Sequence, residues 1–128
     1  MPGETSDQRP GVAIGHVGLE VSDIGVSAEY FIGLGMREVT VREDFAVLEL
    51  RGGTHLFLSK AGGPVAPGPE VPFDLMVDDI GAAREAFEAK GLSPSGIDKG
   101  HIHNEFTITG PDGCVITITS SHTSGRVV

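Results

Sequence analysis

Apolar and polar residues along this chain set up two rhythms, and the pair of rhythms then recurs. Residues 12–21 begin apolar and pass into alternation, the period of a half-buried strand. Ser22 and Asp23 follow as capping residues. Residues 26–34 then place Tyr30, Phe31 and Leu34 at helical spacing, with Gly35 as the stop. Three strand-like runs come next. Residues 37–42 alternate, 45–50 are rich in apolar side chains, and Gly52-Gly53 turns the chain into 55–58. The pattern predicts a β-α-β-β-β unit.

Residues 61–71 show no period and are dense in Gly and Pro, so they read as a linker. The same order then restarts. A strand is predicted over 73–77, a cap at Asp78-Asp79, a helix over 81–90 stopped by Gly91, and a short strand near 92–97. A hairpin closes the unit: residues 105–109, the turn Gly110-Pro111-Asp112-Gly113, and residues 114–119.

The two units share sequence as well as pattern. Residues 19–36 align without a gap on residues 75–92, and the identical pairs include Leu19/Leu75, Val21/Val77, Asp23/Asp79, Ile24/Ile80, Gly25/Gly81, Glu29/Glu85, Phe31/Phe87 and Gly35/Gly91. Chance would match about one position in fifteen. The fold class expected is therefore α+β, with two tandem βαβββ modules forming a mixed sheet that bears a cleft. The boundaries expected are a tail over 1–10, a first module over 11–60, the linker over 61–71, a second module over 72–121 and a tail over 122–128. One helix covers one face of four strands. The other face needs a cover, and the second module is the expected one.

Composition narrows the partners. A formal charge of −9 disfavours nucleic acid and anionic membrane surfaces and leaves cationic or neutral small molecules and metals open. Cys114 is the only cysteine, so no internal disulfide can form, and its apolar neighbours suit a core residue better than a nucleophile. The polar start and the lack of a long apolar run lead to a cytoplasmic expectation.

The stretches GHVGLEVSDI, SAEYFIGLGM, FAVLELRGGTHLFLS and TGPDGCVITI resemble the vicinal oxygen chelate superfamily, over about residues 13–120. That superfamily includes glyoxalase I, extradiol dioxygenases, and fosfomycin- and bleomycin-resistance proteins. The resemblance implies paired modules, a homodimer and a ligand cleft. In enzymatic members it also implies a divalent metal held from four positions. Here those positions fall on His16, Phe57, Pro72 and Thr117, and only His16 is a family ligand. A two-residue slip on the fourth strand would bring in His55, and such a slip keeps the strand face.

Strand parity assigns the side chains of the cleft. His16 and Glu20 share the first strand's inward side, and His55 and Phe57 that of the fourth. Asp74 belongs to the fifth, His103, Glu105 and Thr107 to the seventh, and Thr117 to the eighth. His101 shares the parity of His103 if the strand extends that far, and His122 lies in the tail. Glu20 and Glu105 are the candidate acid–base groups. His55, Phe57, Asp74, His103, Thr107 and Thr117 are the candidate ligand contacts, and His16 is the candidate metal ligand. Each also has a structural reading: a histidine beside a turn is usually solvated, and Asp74 and Glu105 can simply pair with strand neighbours. Three functions stay open, one of them a module that only scaffolds, or stores a metabolite, with no chemistry; the other two are more specific. The first is sequestration of a small molecule, with a cationic drug or metabolite as the candidate, without the family's metal. The second is a lyase, isomerase or dioxygenase using Zn, Ni, Fe or Mn on a nonstandard set such as His16, His55 and Glu105.

Overall fold

A computed structural model describes residues 7–65, 68, 70–121, 123 and 125–128, so His122 lies outside the described residues. The first module runs β1 (His16–Val21), α1 (Ile24–Leu34), β2 (Arg37–Val41), β3 (Phe45–Glu49) and β4 (His55–Lys60). The second runs β5 (Leu75–Val77), α2 (Ile80–Ala89), β6 (Asp98–Lys99), β7 (Asn104–Thr109) and β8 (Val115–Ser120). The described strands form two four-stranded sheets, ordered β1-β4-β3-β2 and β5-β8-β7-β6. In each, the module's first and last strands pair in parallel (β1 with β4, β5 with β8), and the remaining pairs are antiparallel, so the helix joins the two edge strands.

The helices start where the sequence places them. Asp23 accepts a hydrogen bond from the Val26 amide at 3.0 Å, and Asp79 accepts one from Ala82 at 2.9 Å. Each occupies an N-terminal donor that the helix itself cannot satisfy. Gly35 and Gly91 end the helices at φ 124° and 79°, a region that side-chain-bearing residues rarely adopt.

Several boundaries differ from expectation, and β1 begins at His16 rather than at residue 12 and β5 at Leu75 rather than at residue 73. Residues 92–97 carry no strand, and the short strand forms at Asp98–Lys99 instead. Pro94 cannot donate to a ladder, and Ser93 takes a positive φ of 50°. Ser95 bonds β7 there, its amide donating to the Thr107 carbonyl and its hydroxyl accepting from the Thr107 amide, both at 2.9 Å. The linker is also less free than its composition suggests. Glu70 bridges to Val115, and Val71 is buried with its amide on the Val115 carbonyl at 3.0 Å.

One core joins both modules. Phe31, Leu48, Leu56 and Leu58 from the first pack in the same cluster as Phe87, Phe106, Ile108, Ile116 and Ile118 from the second. Each fully buried side chain of this size contributes about 1.5–3 kcal/mol. The modules meet through their helical side and their turns. Lys90 Nζ donates to the Gly33 carbonyl at 2.6 Å, and the Tyr30 hydroxyl donates to the Thr109 carbonyl at 3.3 Å. The turn before β8 reaches the head of α1, where Asp112 accepts from the Ser22 amide and hydroxyl. The turn before β4 reaches the head of α2, where Arg51 pairs with Asp78 at 3.0 Å.

The sequence leaves open whether the modules pair across the cleft within one chain or between two chains, and this arrangement bears on it. Sheets closed face to face across a cleft would carry their helices on opposite outer sides. Here the C-terminal ends of α1 and α2 touch. The second module therefore does not cover the open face of the first within one chain. His16, Gly18 and Glu20 stay exposed, Phe57 is 41% exposed and Met76 44%.

Candidate functional site

The open face of the first sheet is a grid fixed by register. His16 pairs with His55, Gly18 with Phe57 and Glu20 with Ser59. Across the hairpin, Glu49 pairs with His55, Val47 with Phe57 and Phe45 with Ser59, and Arg37 pairs with Glu49. Side chains facing each other in this way share one face. The row nearest the β3–β4 turn is thus His16, His55, Glu49 and Arg37. The middle row is Gly18, Phe57 and Val47, and the far row Glu20, Ser59 and Phe45.

The turn-side row is polar and connected. Glu49 accepts from Arg37 Nε at 2.8 Å, and its other oxygen lies 3.4 Å from His55 Nε2. The Arg37 hydrogen bond holds the Glu49 carboxyl below its ordinary value, against the opposing effect of burial, and its charge and His55 add to the lowering. Beside this row, Phe45 and Phe57 stack with ring centroids 5.7 Å apart and planes 13° from parallel. A side chain at Gly18 would meet nothing closer than the Phe57 carbonyl at 3.9 Å, so the floor beside Phe57 is open.

The second sheet presents a different face. Thr107 pairs with Thr117, Glu105 with Thr119, and Met76 with Thr119. His103 precedes β7 and reaches Glu105 at 3.3 Å, while His101 lies in an exposed bend. Asp74 precedes β5 and lines a cavity of about 440 Å³ at the module junction with Leu50, Arg51, Met76 and Phe87. Parity therefore gathers His16, Glu20, His55 and Phe57 on one sheet. Glu105, Thr107 and Thr117 gather on the other, with His103 beside Glu105.

That division bears on the metal. The nonstandard set His16, His55 and Glu105 is split between two sheets whose open faces do not oppose each other. Among the described residues no group of three or more His, Cys, Asp and Glu is placed to hold an ion. The positions at which the resemblance implies metal ligands hold Phe57, Pro72 and Thr117 beside His16.

Glu49, Arg37 and Phe45 were not among the residues that the sequence singled out. A two-residue turn at Gly52-Gly53 would set Leu50 across from His55, and the observed register is shifted by one residue, so the pairing of Glu49 with His55 is visible only in the structure. Cys114 fits its expected role: it is 5% exposed, and burial raises its thiol, with Asp112 adding to the effect.

The architecture is that of the vicinal oxygen chelate fold. Three solved structures show the likeness. Lactoylglutathione lyase from Agrobacterium tumefaciens superposes with a TM-score of 0.71 at 17% identity, over 92% of this chain and 100% of that one. The bleomycin-binding protein from bleomycin-producing Streptomyces verticillus, complexed with copper(II)-bleomycin, gives 0.69 at 17% identity, over 88% and 99%. The oxidase ChaP-H1 gives 0.68 at 18% identity, over 91% and 100%. No family model matches the sequence, and no curated protein matches it. At these identities the likeness establishes the fold, and function has to be argued from the site.

Proposed function

We propose that this protein binds a small organic molecule on the open face of its first sheet, in a cleft that a second copy completes. The carrying observation is the exposed Phe57 ring stacked on the half-buried Phe45, set beside open floor at Gly18 and between polar rows. An exposed aromatic ring on a sheet face offers stacking to a flat ligand. Glu20 on this face, and Glu105 on the other sheet that a second copy would bring over it, favour a cation over an anion, in keeping with the overall charge of −9. Sequestration of a cationic drug or metabolite is the function that this lining supports best, and one relative in fold is itself a bleomycin-binding protein. A homodimer would bring a second sheet over the exposed grid. A reducing, cytoplasmic setting agrees with a single, buried, free cysteine. No helix among the described residues is long and apolar enough to cross a membrane.

Titration calorimetry with aminoacridine, a planar cation, tests this. Saturable binding is expected, weakened about tenfold in Phe57→Ala, equivalent to about 1.4 kcal/mol. Equal affinity for an anthracene carboxylate of the same shape would overturn the cation preference, and no binding of either would overturn the reading.

The alternative is a divalent-metal enzyme. It draws on the pairing of His16 with His55 and on the lyase and oxidase among the fold relatives. It needs Glu105 from a second copy. Stoichiometric Zn, Ni, Fe or Mn in the purified protein, lost in His16→Ala, would establish it in place of metal-free binding.

A further inference from the structure

The polar row of the open face carries more than a ligand contact. Glu49 spends one oxygen on Arg37 and turns the other to His55 Nε2 at 3.4 Å. Arg37 keeps that carboxylate anionic. An imidazole nitrogen facing an anionic oxygen carries the proton, because two lone pairs would repel. With an Nε2 proton turned to Glu49, the lone pair of a neutral His55 falls on Nδ1, for which no hydrogen bond is found among the described residues, and the side chain is 41% exposed. This is the arrangement of a base whose tautomer is set from behind.

The fold does not require it. The second module has the same hairpin, and the pair next to its turn is Thr109 with Val115. The first module has Glu49 with His55 there. Beside this turn the second copy carries no acid–base groups, and its His103–Glu105 contact lies at the far end of β7, so a dyad at this place is a feature of the first copy alone.

What the base faces follows from the grid. Residues two apart on a strand face the same side and lie about 7 Å apart. A flat ring resting on Phe57 and the bare Gly18 floor would thus bring its edge to His55 and His16.

We propose that His55 is a proton-transfer residue, oriented by Glu49 and Arg37, acting on a flat conjugated carbon acid that lies over Gly18 and Phe57. The proposal rests on the open face being a ligand surface. In the step, the C–H bond breaks, the proton passes to His55 Nδ1, and the electron pair enters the conjugated system or expels a leaving group. The imidazolium then returns the proton to solvent. Glu49 and Arg37 are positioning residues.

A nitrobenzisoxazole is a suitable probe, being flat, conjugated and cleaved by bases. Loss of its ring C–H proton to His55 forms the nitrile as the N–O bond breaks, releasing a coloured cyanonitrophenolate with no other reactant. Wild-type protein is expected to turn it over saturably, about 100-fold or more faster than free imidazole at equal concentration. His55→Ala should fall to the imidazole level and regain rate when imidazole is added. Glu49→Gln should lower kcat about tenfold with KM unchanged, a split that a structural salt bridge would not give. Binding is followed separately with nitrobenzotriazole, an unreactive molecule of the same shape, and circular dichroism melting checks that each variant is folded. Wild type that binds the benzotriazole but does not outpace imidazole overturns the base and leaves the ligand surface standing. Failure to bind it, with no saturable turnover, overturns both. A Glu49→Gln variant with unchanged kcat overturns the positioning role.

Discussion

Tyr30 shows how one side chain ties the modules together and makes stability depend on pH. Its hydroxyl donates to the Thr109 carbonyl of the other module, and its ring packs edge-on against Phe31 at 5.7 Å. Burial, with Cys114 adding to it, pushes its ionisation from 10.0 up to about 12. The folded state thus holds a proton that the unfolded chain releases first. This contribution is complete below about pH 10 and is lost as pH rises toward about 12. Urea titrations across that window should show stability falling with pH in wild type. The decline should be smaller in Tyr30→Phe, which has no phenol to ionise. A parallel decline in both would show that Tyr30 does not couple to folding. Gly100 is a second residue whose identity is forced: a Cβ there would sit 2.7 Å from the His103 carbonyl oxygen.

At the scale of elements, the duplicated features are the ones that fold the chain. Asp23 and Asp79 perform the same capping bond at equivalent places, and Gly35 and Gly91 end both helices with positive φ. Asp23→Ala and Asp79→Ala should each cost about 0.5–2 kcal/mol by denaturant unfolding, with little change in slope. A loss well below that range would mean that tertiary packing alone sets the helix starts. These elements were legible in the sequence because capping and stopping are local and leave a residue signature. The strand near 92–97 was not legible. Its misplacement by a few residues comes from Pro94 and Ser93, which redirect the backbone before the ladder can form. The face of each strand was legible because alternation of side chains is local. The partner strands were not, so Glu49 and Arg37 were missed while His55 was found.

At the scale of the whole molecule, the two modules are joined by a shared core and by reciprocal contacts at their turns, Asp112 with Ser22 and Arg51 with Asp78. The contacts occupy equivalent places but differ in chemistry, one with an acid on the turn and the other with a base. Joined this way, each chain leaves the grid of its first sheet open, including Phe57 and Gly18. If a second copy covers it, folding and association are linked, and the melting temperature should rise with protein concentration. Analytical ultracentrifugation would then show twice the chain mass. A monomer with a concentration-independent melting temperature would rule out the completed cleft and leave an open binding surface.

The sequence by itself determined the elements, their order, the duplication and the face that each strand residue occupies. All of these follow from interactions between residues a few positions apart, repeated twice. The tertiary structure decided which faces oppose one another. It kept Glu105 apart from His16 and His55, set the Glu49 carboxylate beside His55, and turned the modules' helical sides together. Those relations depend on how separate units pack, and the side chains that pack them are the same apolar residues in either arrangement. No local pattern distinguishes modules closed on each other from modules joined along their helices.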